Sequence, residues 1–405
     1  MAALTEKCLD VPDNVPPELI RDFDLYNIPG LVDGVSENIH KLWKKVQDTH
    51  PAIFWTPHYG GHWVITRYWP MRDMLLDPDN FSNADSFLPR GVAPRLIPVQ
   101  LDPPEHGKYR RILNPYFTPE AIEKASQTAR QTAVEIIEEL KPKGQCEFVS
   151  EFASVMPVVT FLTLVNLPVA DMDYLKKLGR RMMPTSPEIV EAYAELDRYL
   201  AHQLEQRREH PQEDFLTSLL SAQVDNRRLN QDEIESIARL VVSGGLDTVA
   251  LVTTFTANFL AQHPQHCREL IEHPELMDNA VEEFLRCFGP SNLGRLVRNN
   301  LDFHGVKFHK DDFVLGLFPM GGWDESINSN PAVIDFARKS PRYLTFGFGP
   351  HMCIGNRLAK REIKLFLQEW LARIPEFHLA TGFTPKMMPG MLNQMPELRL
   401  EWAAV

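Results

Sequence analysis

The stretch Phe346-Gly347-Phe348-Gly349-Pro350-His351-Met352-Cys353-Ile354-Gly355 holds three glycines, one proline and one cysteine, and a helical pattern starts at Asn356. Glycines on both sides of a cysteine let the backbone approach something bulky. A helix beginning just after a sulfur points its positive end back at it, which favours a thiolate. Cys353 is therefore a candidate metal ligand, with the metal carried in a flat, bulky cofactor. Zinc explains the pattern poorly, because no second Cys/His pair accompanies His351 and Cys353. Cys8, Cys146, Cys267 and Cys287 lack such a setting and read as small buried hydrophobes.

Ser243-Gly244-Gly245-Leu246-Asp247-Thr248 lies midway along a long helical pattern. Adjacent glycines cost a helix about 1 kcal/mol each relative to alanine. Close helix packing is one reason to accept that cost. Room for a ligand against the helix is the other, and the acid and hydroxyl that follow can both handle protons. Glu283-x-x-Arg286 is by itself no more than a pair one helical turn apart, usually solvated. Arg357, Lys360, Arg361 and Lys364, with Lys108 and Arg111, form a local basic set in a chain of net charge −12. That set is either a solvated face or a docking patch for an acidic electron donor, since opposite charges speed encounter.

These residues need elements to position them. Helical spacing is expected over 37–50, 69–76, 118–140, 150–166, 169–183, 187–208, 213–223, 232–263, 275–288 and 356–373. Thr118-Pro119 is a strong helix start. A hairpin is expected around Tyr59-Gly60-Gly61, with short strands over 301–318, 376–380 and 398–402. Residues 85–104 form a long irregular connection of the kind that is often functional. Helix dominates and nothing alternates βαβ, so the fold class expected is mainly α with small sheets, in one domain over 1–405. The 44% hydrophobic and 24% charged content is that of a globular protein. The acidic balance argues against nucleic acid or an anionic membrane as partner. Five unclustered cysteines fit a reducing compartment. Met1–Val15 does not read as a signal or anchor, and Leu240–Val252 is too short and polar to span a bilayer. A cytoplasmic location is expected.

The spacing Phe346-x-x-Gly349-x-x-x-Cys353-x-Gly355 resembles the haem-binding loop of the cytochrome P450 family, the standing example of haem held by a cysteine thiolate. The resemblance implies haem b with Cys353 as the iron ligand. It implies that Glu283 and Arg286 form a buried structural network with Arg338. Gly244-Gly245-Leu246-Asp247-Thr248 resembles the family's oxygen-activating motif; Thr248 would hydrogen-bond dioxygen and water, and Asp247 would relay protons. Two propionates call for Arg and His partners, for which His106, Arg110, Arg295 (just ahead of the β region) and His351 match the family's positions. His106 and Arg110, four apart, face one way if their segment is helical. The basic set would receive a 2Fe–2S ferredoxin, itself served by a reductase. A monomer is expected.

The similarity extends over most of the chain and is greatest to the camphor-hydroxylating branch, through Leu101-Asp102-Pro103-Pro104-Glu105, Gly244–Thr248, Asp302-Phe303-His304-Gly305-Val306 and Leu367–Pro375. The substrate side departs from it. That branch hydrogen-bonds camphor's ketone with a tyrosine in the connection before Asp-Pro-Pro, and no tyrosine lies between Phe87 and Asp102 here. Candidate pocket residues by position are Phe87, Leu240, Ser243, Gly244, Ser291, Asn292, Met391 and Leu392, with Ser243 and Asn292 able to supply a polar contact. The expectation is a monooxygenase acting on a small apolar terpenoid-like substrate, an ionone-type norisoprenoid ketone rather than camphor. The alternative is a haem-thiolate carrier or sensor without turnover, which would need no proton relay.

Overall fold

The structure, a computed structural model, describes residues 10–28, 38–183 and 186–404. Cys8 and the first nine residues of the expected leaderless N-terminus lie outside them. Two helices are started by side chains legible in the sequence. Thr118 accepts a hydrogen bond from Ala121 N at 3.3 Å and Pro119 opens the helix Pro119–Leu140. Asn230 and Glu233 form a reciprocal capping box at the start of Gln231–Leu246.

The long helix expected over 232–263 is two. Gly244 and Gly245 stay helical, and the break comes at Asp247 (φ −124°, ψ −34°), after which Thr248–Gln262 continues. Over 231–262 this is the one helix among the described residues long and apolar enough to cross a membrane, but 56% of its most apolar window is buried inside the protein. It serves as the central core element. The expected end at His263 agrees with the structure, where Thr248–Gln262 is capped by His263, but no helix was expected directly after it. Instead Pro264 sits in the first turn of a further helix, Pro264–Glu272, because proline lacks only a donor that this turn leaves unused. The helix expected over 150–166 opens as a wide turn, Val149–Ala153, and becomes α-helical over Met156–Val165.

The helix Asn356–Arg373 lies against Pro119–Leu140 and against Met277–Cys287. Its buried face (Ile363, Phe366, Leu367 and Trp370) joins the largest apolar core together with Phe148 and Phe152. Trp370 meets Phe148 edge-on with ring centroids 5.0 Å apart.

The main sheet runs Ile53–Thr56, His62–Ile65, Phe313–Gly316, Leu293–Val297, Phe81–Ser82. The hairpin pairs Ile53 with Ile65, and the sheet grows by a parallel pairing of Val314 with Trp63 and an antiparallel one of Val314 with Arg295. Arg295 is thus inside a strand, a correction to the reading that placed it ahead of the β region. Gly294 hid that strand from the sequence: it interrupts the β-rich pattern, yet a Cβ there would stand 2.0 Å from the Phe313 ring. A three-stranded sheet joins His378–Leu379, Arg399–Glu401 and Gln145–Glu147. The 85–104 connection carries no helix or strand.

Candidate functional site

Three tight contacts shape the cysteine loop. Gly347 and Gly349 both have φ +68°, which favours glycine, and a Cβ on Gly349 would stand 2.8 Å from the Leu75 carbonyl oxygen. The helix Tyr68–Leu76 therefore presses its C-terminal end onto the loop. Cys353 N donates to Phe346 O at 2.9 Å, and the Asn356 amide donates to Cys353 O at 2.5 Å. Cys353 has open surface, yet desolvation dominates its thiol and pushes it up; the Gly355 amide and Arg110 oppose that. Both facts hold if the sulfur faces an internal hollow rather than bulk solvent. The simple helix-end argument for a thiolate is overridden by burial in the metal-free chain. A coordinating metal removes a thiol proton outright.

Beside the loop sits a knot of basic side chains. His106 and Arg110 both come from the helix Glu105–Leu113, which was not among the helices expected from the sequence, and it meets the condition for the two to face one way. The His106 and His351 rings lie 4.0 Å apart, centre to centre. Both His351 ring nitrogens are buried without a hydrogen-bond partner among the described residues. Arg110 donates to Met352 O at 2.5 Å. Arg295 is buried, and its guanidinium donates to Gly294 O at 2.7 Å. Burial, then His106, Arg295 and Arg110, push His351 down to about 2. Burial and Arg110 take His106 to about 4, and burial takes Arg295 to about 10. The nearby Asp102 is engaged elsewhere, by Ser82 Oγ at 2.5 Å and Asn83 N at 2.8 Å. Two histidines and two arginines thus converge with Asp102 as the carboxylate that acts on His106 and Arg295, and Asp102 is already shared with Ser82, Asn83 and Arg298. Buried cations are normally paired, so this cluster fits a group bearing carboxylates. With a potential thiolate in the adjoining loop, the donor set fits haem.

Asp247 sits at the helix break with its Oδ2 only 3.2 Å from where a Cβ on Gly179 would stand. Burial raises its carboxyl to about 6 and Arg180 opposes the rise. Neither Gly179 nor Arg180 was singled out by sequence; a glycine inside the helix Met172–Arg181 was the only signal. The Thr248 hydroxyl makes only a long contact, 3.4 Å, to Gly244 O. Gly244 is exposed and a Cβ there would meet nothing within 4 Å.

Glu283 and Arg286 are buried and joined by two bonds, 2.7 and 2.8 Å. Arg338 donates to the same carboxylate at 3.0 Å. Arg286 also reaches the carbonyls of Gly322 and Pro331 at 2.8 Å each. The network ties the helix Met277–Cys287 to the chain leading to the cysteine loop.

Of the expected pocket residues, Phe87, Leu240, Ser243, Ser291 and Leu392 are half-buried and Met391 is buried. Ser291 and Leu392 form a β-bridge. Ser243 Oγ donates to Leu240 O at 3.2 Å. Asn292 is fully buried and its amide donates to Gly390 O at 2.7 Å, so it braces the backbone. In the expected basic patch, Lys108 pairs with Glu105 and Asp225, Lys360 with Glu282, Arg361 with Glu123 and Lys364 with Asp278. Arg111 and Arg357 are exposed.

The chain matches known proteins over almost its whole length. Residues 160–389 match the family model described as Cytochrome P450. A curated relative, the probable cytochrome P450 127A1 of Sinorhizobium fredii, is 32% identical over 401 residues, 97% of either chain. The crystal structure of CYP101J2 superposes with TM-score 0.88 at 35% identity, covering 97% of this chain and 99% of that one. That of CYP101C1 gives 0.89 at 31%, covering 98% and 100%.

Proposed function

Since the chain belongs to the cytochrome P450 family, in its P450cam-like bacterial branch, we propose that it hydroxylates a small apolar terpenoid-like ketone, an ionone-type norisoprenoid rather than camphor. The reaction class is that of the family: a haem b-dependent monooxygenase that uses dioxygen. Haem supplies a thiolate-ligated iron whose electron-rich ligand favours O–O cleavage. In this reading Cys353 provides the thiolate, and Phe346, Gly349 and Gly355 shape its loop. His106, Arg110, Arg295 and His351 hold the propionates. The observation that supports the assignment is that both His351 ring nitrogens are buried without a hydrogen-bond partner among the described residues, beside the loop whose Cys353 has open surface.

Asp247 and Thr248 handle protons. A carboxyl titrating at about 6 both accepts and releases a proton near neutrality. Asp247 would take a proton up on the Arg180 side, and Thr248, whose hydroxyl makes only a long contact to Gly244 O, would supply a hydroxyl free to hold or pass on a proton. Glu283, Arg286 and Arg338 keep the scaffold under the loop rigid. Phe87, Leu240, Ser243, Gly244, Ser291, Asn292, Met391 and Leu392 surround the substrate. Electrons come from a 2Fe–2S ferredoxin and its reductase through the basic face at Lys108, Arg111, Arg357, Lys360, Arg361 and Lys364. The protein works as a cytoplasmic monomer with one domain over 1–405.

The ferrous–CO complex is expected to show the strongly red-shifted Soret band of thiolate ligation, lost in Cys353→His. A histidine-type band in the wild type would sink the ligand assignment. For the substrate, a terpenoid panel scored by the low-to-high spin shift should rank ionone-like ketones first. Camphor ranking above all of them would refute that choice.

A further inference from the structure

Tyr26 is distant along the chain from the residues considered so far, yet it touches both sides of the proposed pocket. Its phenol donates to Leu88 O at 2.5 Å, next to Phe87 at the start of the 85–104 connection. On its other side the ring meets the turn that carries Met391. The ring fills the space beside Gly390, where a Cβ would stand 2.7 Å from it. The two segments so joined flank one strand. Gly294 N donates to Ser86 O at 2.9 Å, and Asn292 N donates to Met391 O at 2.8 Å. That strand, Leu293–Val297, also carries Arg295.

The ring is held before it binds either partner. Asp24 accepts from Tyr26 N at 2.9 Å and from the Tyr59 hydroxyl at 2.5 Å. Tyr59, in the left-handed region at φ 54°, packs edge-on against Tyr26 with centroids 5.6 Å apart. A non-glycine residue in that conformation carries strain, which its surroundings must hold in place. Nothing in the reaction chemistry uses Asp24, Tyr26 or Tyr59.

We propose that Tyr26 is a positioning residue for the substrate site: it fastens the 85–104 connection to the turn at 390–392 and so sets the width of the pocket between Phe87 and Leu392. The proposal rests on the pocket assignment made above. Without the phenol hydroxyl the two segments remain attached to the central strand but are free to part on their outer side, where a substrate would enter or leave.

Tyr26→Phe keeps the ring against Gly390 and Tyr59 and removes only the hydroxyl. One net hydrogen bond corresponds to roughly a fivefold change in an equilibrium. The expected results are trypsin cleavage after Arg90 and Arg95, both exposed in the connection, that is about fivefold faster than in the wild type. The dissociation constant from the spin-shift titration with β-ionone should rise by a similar factor, with the red-shifted ferrous–CO band retained. Unchanged cleavage rates overturn the fastening. Faster cleavage with an unchanged dissociation constant overturns the role in the pocket. A wild type lacking the red-shifted band would instead sink the haem-thiolate reading, while cleavage, which needs no haem, still reports on the tyrosine. Should Tyr26→Phe fail to fold, Tyr59→Phe, which frees the ring from its Asp24 support, carries the same expectation and the same refutation.

Discussion

Gly245 lies so close to Phe161 that a methyl group on it would stand 2.4 Å from two ring carbons, whereas one on the neighbouring Gly244 would meet nothing within 4 Å. The two glycines therefore answer different needs. Gly245 lets the central helix pack on Met156–Val165, and Gly244 leaves open space. Gly245→Ala is expected to destabilise by about 1–3 kcal/mol through overpacking. Gly244→Ala should fold at least as well as the wild type, since alanine favours helix by about 1 kcal/mol. Its methyl should still diminish the substrate-induced spin shift. Thermal melts and spin-shift titrations of the pair decide the matter; equal melting temperatures would refute the distinction.

Asp247 titrates higher in the folded chain than an ordinary aspartate, at about 6, because it is desolvated. The folded state therefore binds its proton more tightly than the unfolded state does. The stability it contributes is fully present below about pH 4, the unfolded value, and is lost as pH rises through 6. Asp247→Asn should raise the melting temperature at pH 8 and leave it nearly unchanged at pH 4. Turnover should lose an inflection near pH 6. A wild-type profile flat from pH 5 to 8 would contradict the proton role.

Glu283 accepts from two buried or nearly buried arginines, and Arg286 spends its remaining donors on backbone carbonyls. Removing the carboxylate leaves buried positive charge without compensation. Glu283→Ala is expected to cost about 3–5 kcal/mol in urea unfolding. A cost under about 1 kcal/mol, the range of a surface pair, would show the network to be dispensable.

Arg295 is fully desolvated, with Gly294 O as its hydrogen-bond acceptor. In the haem-free protein it is a cost, and with propionates in place it is a gain. Arg295→Met should thus raise the melting temperature of the haem-free form and speed haem loss to a scavenging apoglobin. Slower or unchanged haem loss would remove Arg295 from the propionate set.

The chemistry was readable because it depends on residue type at fixed local spacing. The cysteine loop, the Gly-Gly-x-Asp-Thr run and the helix starts at Thr118 and Asn230 are each specified within a few residues of chain. Glu283 and Arg286 could be spotted as a helical pair, but their burial could not. The helix break at Asp247, the helix after Pro264 and the strand around Gly294 were missed or misplaced. At Gly294 the reason is a long-range neighbour, the Phe313 ring, which leaves no room for a side chain in the strand; at Pro264 it is that a proline opens a helix as readily as it ends one.

What the sequence alone determined, through the family resemblance carried by its cysteine loop and its Gly-Gly-x-Asp-Thr run, is the reaction class, because such motifs are complete within a few residues of chain. Only the tertiary structure decided that Cys353 is desolvated yet open, that the His351 ring nitrogens have no hydrogen-bond partner among the described residues, that most cations of the basic patch are matched by acids of this same chain, and that Tyr26 joins Leu88 to the turn beside Met391. Those are properties of groups brought together from distant parts of the chain. Burial and unpaired charge depend on what surrounds an atom, and local spacing carries no record of that.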